Sequence, residues 1–243
     1  MTARQLPLPF GLAQSYAAED FVAAPSNAAA RTWLARTESW PFGRLVLCGA
    51  AGSGKTHLLH LWAAREQAAL WSGPQWRALP ATPPGDGPPT GPIALDDADL
   101  ADEIALFHLI NTMAEARQPL LLAGRDPPAR WPVRLPDLAS RLRASTTAML
   151  GPPEDHLLAA ILARLLAERQ LAVARPVQDW LLTRLPRHPA ALAEAVARLD
   201  RASLADGCGI SRPLAATVLA EMTADLPEDK IFVTMAPTAP ALL

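Results

Sequence analysis

Three features of the sequence predict an α/β fold: a parallel sheet covered by helices, followed by a small all-helical domain. A glycine-rich turn joins a short apolar run to an apolar-periodic segment at 44–57, RLVLCGAAGSGKTH. Strand-like apolar runs alternate with helix-like stretches as far as residue 150, the pattern of a parallel sheet covered on both faces. From Gly151-Pro152-Pro153 onward the periodicity is helical until the tail.

In the first of these features, Gly49, Gly54, Lys55 and Thr56 fit the phosphate-loop spacing G-x-x-x-x-G-K-[ST]. Glycines let the backbone curl tightly enough for successive N–H groups to point inward at phosphate oxygens. Here that loop runs through Ala51, Gly52 and Ser53 to His57. The positive end of the following helix adds to the field. Lys55 is placed to reach β/γ-phosphates and Thr56 to ligate Mg2+. The alternative, a chance glycine-rich turn, is opposed by the strand-loop-helix context. Lys55 is also the only lysine before Lys230, in a chain that otherwise uses arginine. The loop predicts binding of a nucleoside di- or triphosphate.

Bulk composition narrows the class. At 243 residues the chain has room for one large or two smaller domains, and its 50% hydrophobic content is enough for a substantial core. A net charge of −2 gives no overall electrostatic case for nucleic-acid binding. Cys48 and Cys208 are too few and too far apart for a metal site or disulfide framework, which suits a reducing compartment. No apolar signal region and no bilayer-length run is visible, so a cytoplasmic protein with no membrane association is expected.

Taken in order, the chain opens with Gln5-Leu6-Pro7-Leu8-Pro9-Phe10, a proline-stiffened apolar peptide. It reads either as a linear motif whose side chains fill pockets on a partner, or as an arm folded on its own domain. Ser26 or Asn27 is the expected N-cap of a helix running to about Thr37. After the loop, a helix ending near Gln67 and a strand at 68–71 lead into 72–92, dense in Pro and Gly and read as a loop. The run Ile93-Ala94-Leu95-Asp96-Asp97-Ala98-Asp99 is a strand ending in acids, where folds with a phosphate loop hold Mg2+. Asp96 is assigned to the metal and Asp97 to the attacking water. Alternatively, Asp97 and Asp99 serve only the N-terminus of a helix over 100–117.

A strand at 120–123, a short amphipathic helix at 135–142 carrying Arg141, and a strand at 147–150 complete the first part. Helices are expected with an apolar stripe over 157–165, then at 176–185, 189–203 and 213–223, the last capped by Ser211, with a short strand at 231–234. His156 and His188 are read as surface or capping residues.

Together QLPLPF, DFVAAPSN, GAAGSGKTH, ALDDAD and LPDLASRL resemble the DnaA branch of the AAA+ P-loop ATPases, and within it the Hda family in its alphaproteobacterial form. The similarity covers roughly 5–222. It implies the organisation 1–12 clamp-binding segment, 13–151 AAA+ nucleotide-binding domain, 152–225 helical lid and 226–243 tail. The hexapeptide resembles the one that binds the β sliding clamp, with Gln5, Leu6, Leu8 and Phe10 as anchors. Phe21 and Val22, with Pro25 and Asn27 beyond, are similar to the segment lining the adenine pocket, so the resemblance implies ADP or ATP with Mg2+ as cofactors.

Arg141 falls on the arginine-finger position, which reaches the γ-phosphate on a neighbouring subunit, here DnaA. The implied role is regulatory inactivation of DnaA at replication initiation. A homo-oligomer is also compatible. Two departures stand out. The family's Gly-Asp-Arg order at the first sensor reads Gly124-Arg125-Asp126, and its second-sensor arginine aligns with Ala190, leaving Arg187, three residues earlier, as the candidate to reach the nucleotide from another angle. They fit a nucleotide held as a switch, with at most weak ATPase activity. DnaA's C-terminal DNA-binding domain has no counterpart, so no sequence-specific DNA binding is expected. The rival readings are an autonomous ATPase of the helicase-loader kind and a non-catalytic clamp-binding module.

Overall fold

A computed structural model describes residues 16–77 and 91–225 of the chain. The QLPLPF hexapeptide, most of the Pro/Gly-rich loop and the strand expected at 231–234 lie outside the described residues. Two compact units form. One runs up to Leu158 and includes Arg187–Pro189; the other comprises Ala159–Pro186 and the described residues from Ala190 onward.

The first unit is built on five strands, β1 (Arg44–Cys48), β2 (Ala69–Ser72), β3 (Ile93–Asp96), β4 (Leu120–Gly124) and β5 (Thr146–Met149). They lie in the order β2-β3-β4-β1-β5, all parallel. Val46 of β1 faces Leu122 on one side and Thr147 on the other. Strand β1 is therefore hydrogen-bonded on both edges and covered on both faces, which is why its sequence is a continuous apolar run rather than an alternation. Because all strands are parallel, Cys48, Asp96 and Gly124 share one edge of the sheet, the edge where ligands of open α/β sheets bind.

Side chains alternate between two cores. Leu45 and Leu47 pack with Leu58, Leu59 and Trp62 of α2 (Lys55–Glu66) and Ala30 and Leu34 of α1 (Pro25–Leu34). Val46, Leu95 and Leu122 pack with Leu106, Ile110 and Met113 of α3 (Glu103–Glu115) and Leu138 and Leu142 of α4 (Pro136–Arg143).

The structure corrects several local expectations. Helix α1 starts earlier than Ser26 or Asn27 would place it: Ala24 is the N-cap and Pro25 occupies the first turn. Asn27 works from inside the helix, its Oδ1 accepting the Ala24 N–H at 3.1 Å and its Nδ2 donating to the Val22 carbonyl at 3.0 Å. Helix α3 starts later than residue 100. A single 3-10 turn, Ala98–Leu100, intervenes, and Asp102 caps the helix by accepting from the Ala105 N–H at 2.9 Å. Within the 72–92 stretch, Gln75–Arg77 forms another 3-10 turn, and Trp76 is buried edge-on to Trp71.

The turn before β1 is unusual. The Gly43 N–H closes it on the Trp40 carbonyl at 3.0 Å. Phe42, its third residue, takes φ 55°, ψ 21° and leaves its ring exposed. That position ordinarily takes glycine, and a side chain there costs roughly 1–2 kcal/mol.

The second unit is helical. It is built from most of α5 (Asp155–Glu168) with α6 (Arg175–Leu182), α7 (Pro189–Asp206) and α8 (Arg212–Ala224). Leu162, Leu166, Val177, Leu181, Leu192, Val196, Leu199 and Val218 are buried. As expected, Ser211 caps α8, accepting from the Leu214 N–H at 3.5 Å.

Candidate functional site

The glycine-rich loop leaves β1 at Gly49 and enters α2 at Lys55, and two contacts hold its start. Its Gly49 N–H donates to the Arg125 carbonyl at the end of β4 (3.2 Å), and the Leu150 N–H donates to the Cys48 carbonyl (2.7 Å). A Cβ on Gly49 would meet Ser53 Oγ at 2.8 Å and the Leu150 carbonyl oxygen at 2.9 Å, so only glycine fits there. Gly54 caps α2 at φ 98°, a backbone state that side chains rarely adopt.

Lys55 is buried, and its ammonium donates to the carbonyls of Gly49 (2.7 Å) and Ala50 (3.0 Å) inside the loop. Burial pushes its pKa down. Asp96, Asp97 and Asp99 pull it back up, and Arg125 opposes them. At the next residue of the helix, the Thr56 hydroxyl donates to Asp96 Oδ2 at 2.6 Å. The other Asp96 oxygen accepts from the Asp97 N–H at 3.0 Å. The loop thus sets a lysine and a hydroxyl at adjacent positions and brings the hydroxyl onto a carboxylate 40 residues further along the chain.

Asp97 adopts φ 47° at the tip of β3. Burial raises its carboxyl pKa, and the charges of Asp96 and Asp99 add to that, against Arg125 and Lys55. Asp99 accepts from the Arg125 N–H at 3.1 Å, while its other oxygen is buried without a hydrogen-bond partner among the described residues. It stands in the 3-10 turn Ala98–Leu100 rather than at the start of α3, and ties the β3 tip to the β4 tip. Cys48, directly beneath the loop, has its thiol pushed up to about 12 by burial and belongs to the packing.

The residues expected around a base cluster on the N-terminal side of α2. Phe21 sits edge-on to the His57 ring at 5.3 Å, and Tyr16 stacks on His60 at 3.9 Å. His57 Nε2 lies 3.2 Å from the Ala17 carbonyl. Val22 is half-buried, and its carbonyl is held by Asn27. Glu154 clamps the start of α1 with both oxygens, accepting from the Ser26 N–H (2.7 Å) and hydroxyl (2.8 Å). Those hydrogen bonds hold its carboxyl below the usual range. This clamp has no signature in the sequence.

Arg187 is ion-paired with Asp155 at 2.5 Å and donates to the Pro153 carbonyl at 3.5 Å, while Ala190 is exposed. His188, expected from the sequence to be a surface or capping residue, lies against the phosphate loop. A Cβ added to Gly52 of the loop would lie 3.1 Å from His188 Cβ and 3.4 Å from its Nδ1. Sequence could not announce this, because His188 lies 136 positions along the chain from Gly52 (188 minus 52).

Arg141 lies near the C-terminus of α4, exposed, with its guanidinium 5.6 Å from the centre of the Phe107 ring. It forms no ion pair with another described residue. Its carbonyl accepts from Arg44 Nη2 (3.3 Å) and from the Ser145 hydroxyl (3.0 Å). Arg44 is buried without a carboxylate partner among the described residues. It was missed by the sequence reading, since an arginine opening a strand looks like an exposed end.

The loop fits a phosphate group with a divalent ion. The Ser53 hydroxyl inside it is buried with no hydrogen-bond partner among the described residues, Lys55 lies at its carbonyls, and the Thr56–Asp96 pair supplies hard oxygen ligands.

Residues 155–219 match the family model described as "Hda, lid domain". A protein of Haemophilus influenzae described as uncharacterized is 28% identical, over 89% of this chain and 98% of its own length. Domain III of the Thermotoga maritima replication initiation protein DnaA matches with a TM-score of 0.68 at 17% identity, covering 85% of this chain and 96% of that one. AMPPCP-bound DnaA from Aquifex aeolicus matches at 0.57 and 18%, covering 75% and 64%. The Thermotoga maritima RuvB branch-migration motor matches at 0.56 and 16%, covering 82% and 68%. These structures share the fold. Residues 155–219 thus resemble a lid of the Hda type, and the chain as a whole shares the fold of DnaA domain III.

Proposed function

We propose that this chain regulates chromosomal replication initiation by promoting hydrolysis of the ATP bound to DnaA, from a position tethered to the sliding clamp. Gln5, Leu6, Leu8 and Phe10 make the tether. Lys55, Thr56 and Asp96 hold ADP or ATP with Mg2+, and Phe21, Val22 and His57 flank the base. When bound, that group supplies a polyphosphate whose charge the metal offsets. Arg141 acts outward, on the nucleotide of the neighbouring DnaA.

The observation that carries the reading is the state of Arg141. It is an exposed guanidinium with no ion pair to a described residue, on a helix end braced from below by Arg44. A guanidinium supplied in trans stabilises the charge that develops in phosphoryl transfer and is worth roughly 10³–10⁵ in rate. An arginine without a carboxylate of its own is available for that task. Nucleotide binding is supported by the loop geometry and by a similarly folded DnaA that was solved with AMPPCP.

The test is a single-turnover assay of ATP-loaded DnaA with clamp on primed DNA. The wild-type chain is expected to accelerate hydrolysis, with Arg141→Ala abolishing the effect and removal of residues 1–10 abolishing its dependence on the clamp. Acceleration that survives Arg141→Ala, or turnover by the chain alone that matches the mixture, would overturn the reading in favour of an autonomous ATPase.

A further inference from the structure

The turn into β1 places Phe42 in left-handed backbone and leaves the residue 70% exposed. A bulky side chain held there costs stability and recovers little by burial, so folding does not account for it. Contacts lead from this ring to Arg141. The Arg44 guanidinium lies 5.8 Å from the Phe42 ring centre, its Nη2 donates to the Arg141 carbonyl at 3.3 Å, and its Nε donates to the Ser145 hydroxyl at 3.3 Å. The last-turn carbonyl of α4, the Ser145 hydroxyl and the aromatic ring face the buried Arg44 charge.

We propose that Phe42 is an aromatic anchor on the docking face that presents Arg141, covered by the ATP-bearing AAA+ subunit on whose nucleotide Arg141 acts. The inference rests on the reading of Arg141 as acting in trans. Continuity argues for this occupant: a guanidinium that reaches another subunit's triphosphate brings that subunit onto its own surroundings, and Phe42 is joined to the backbone of Arg141 through the Arg44 side chain. Charge agrees. Arg141 and Arg143 are exposed and neither is ion-paired to another described residue, so the end of α4 presents positive charge that suits an anionic surface around a bound triphosphate. Aromatic residues beside arginines are the usual centres of such interfaces.

The experiment titrates the full-length chain into ATP-loaded DnaA with clamp on primed DNA, recording both the half-maximal concentration and the plateau rate. Phe42→Gly is expected to raise the half-maximal concentration about 10-fold or more with the plateau kept, and Phe42→Tyr to restore it. Arg141→Ala lowers the plateau instead. Leu204→Ala, 67% exposed on α7, moves neither. The melting temperature of Phe42→Gly is expected at or above that of wild type, because the backbone strain is relieved.

An unchanged half-maximal concentration in Phe42→Gly, with the plateau lost in Arg141→Ala, overturns the anchor and leaves the Arg141 reading standing. Silence of both variants defeats the trans reading and this inference with it. A Phe42→Gly protein that melts clearly below wild type shows the ring to be covered by its own chain. One that changes self-association in sedimentation instead of the DnaA titration shows the cover to be a second copy. Either result overturns the proposal.

Discussion

The Thr56 hydroxyl donates to Asp96 Oδ2 across 2.6 Å, joining the first turn of α2 to the tip of β3. The pair orients both metal-type ligands toward the loop before any ion arrives, so its removal should register in folding and in nucleotide affinity separately. Thr56→Ala is expected to cost about 1 kcal/mol in urea denaturation. It should also abolish the gain in ADP affinity that Mg2+ provides over EDTA, read by calorimetry. A Mg2+ dependence that persists in the variant would remove Thr56 from the metal site.

Asp97 should stabilise the protein when it is made neutral. Its carboxyl titrates above the ordinary aspartate range, through burial first and the nearby charges of Asp96 and Asp99 second. A raised folded pKa means that this group's favourable contribution is complete below the unfolded value and is lost as pH rises through the folded one. At pH 7 the charged form is therefore a liability, and Asp97→Asn is expected to raise stability. Solvent screening limits the gain to roughly 0.5 kcal/mol. Asparagine also tolerates the left-handed backbone at φ 47°. The gain should vanish in melts carried out below the ordinary aspartate pKa; a gain that is independent of pH would assign the effect to backbone alone.

Two glycines of the loop should fail for different reasons. Gly49→Ala pushes a methyl against Ser53 Oγ and the Leu150 carbonyl, the second of which is backbone and cannot retreat freely, and is expected to cost roughly 1–3 kcal/mol. Gly54→Ala meets nothing within 4 Å but sits at φ 98°, so its cost of about 1 kcal/mol comes from backbone alone. Urea titrations of the two variants rank them; a larger loss in Gly54→Ala would contradict the contact geometry.

Arg44 should matter to stability as well as to Arg141. Arg44→Ala leaves the end of α4 with the Ser145 hydroxyl alone on the Arg141 carbonyl and is expected to lose about 1–3 kcal/mol. Arg44→Met, which fills the space without a charge to desolvate, should recover most of it. Denaturation midpoints of the two proteins decide the matter. Equal losses would mean that the guanidinium's hydrogen bonds, not its bulk, carry the effect.

Most of the strand and helix pattern was legible because it depends on near neighbours. The run Leu45-Val46-Leu47-Cys48 could only be a buried strand, and Gly54-Lys55-Thr56 could only end a turn and begin a helix. The acids after Leu95 were legible as a group but not one by one. Which of Asp96, Asp97 and Asp99 meets Thr56, takes left-handed backbone or ties down Arg125 depends on how the β3 tip leaves the sheet. Boundaries slipped where two local signals competed. Pro25 and Asn27 both suit a helix start, and the cap went to Ala24 because Asn27 could then bond back to it from the third position.

The sequence by itself determined the α/β class, the phosphate loop with its lysine and threonine, and an all-helical segment after residue 151. Each of these is written in short stretches whose backbone preferences and periodicity act locally. Only the tertiary structure decided that Glu154 grips Ser26, that His188 lies against Gly52, and that a buried Arg44 joins Phe42 to Arg141. Those pairings bring together residues far apart in the chain. They exist because parallel pairing sets β1 between β4 and β5, so that side chains with no relation in sequence converge on the loop and on the end of α4.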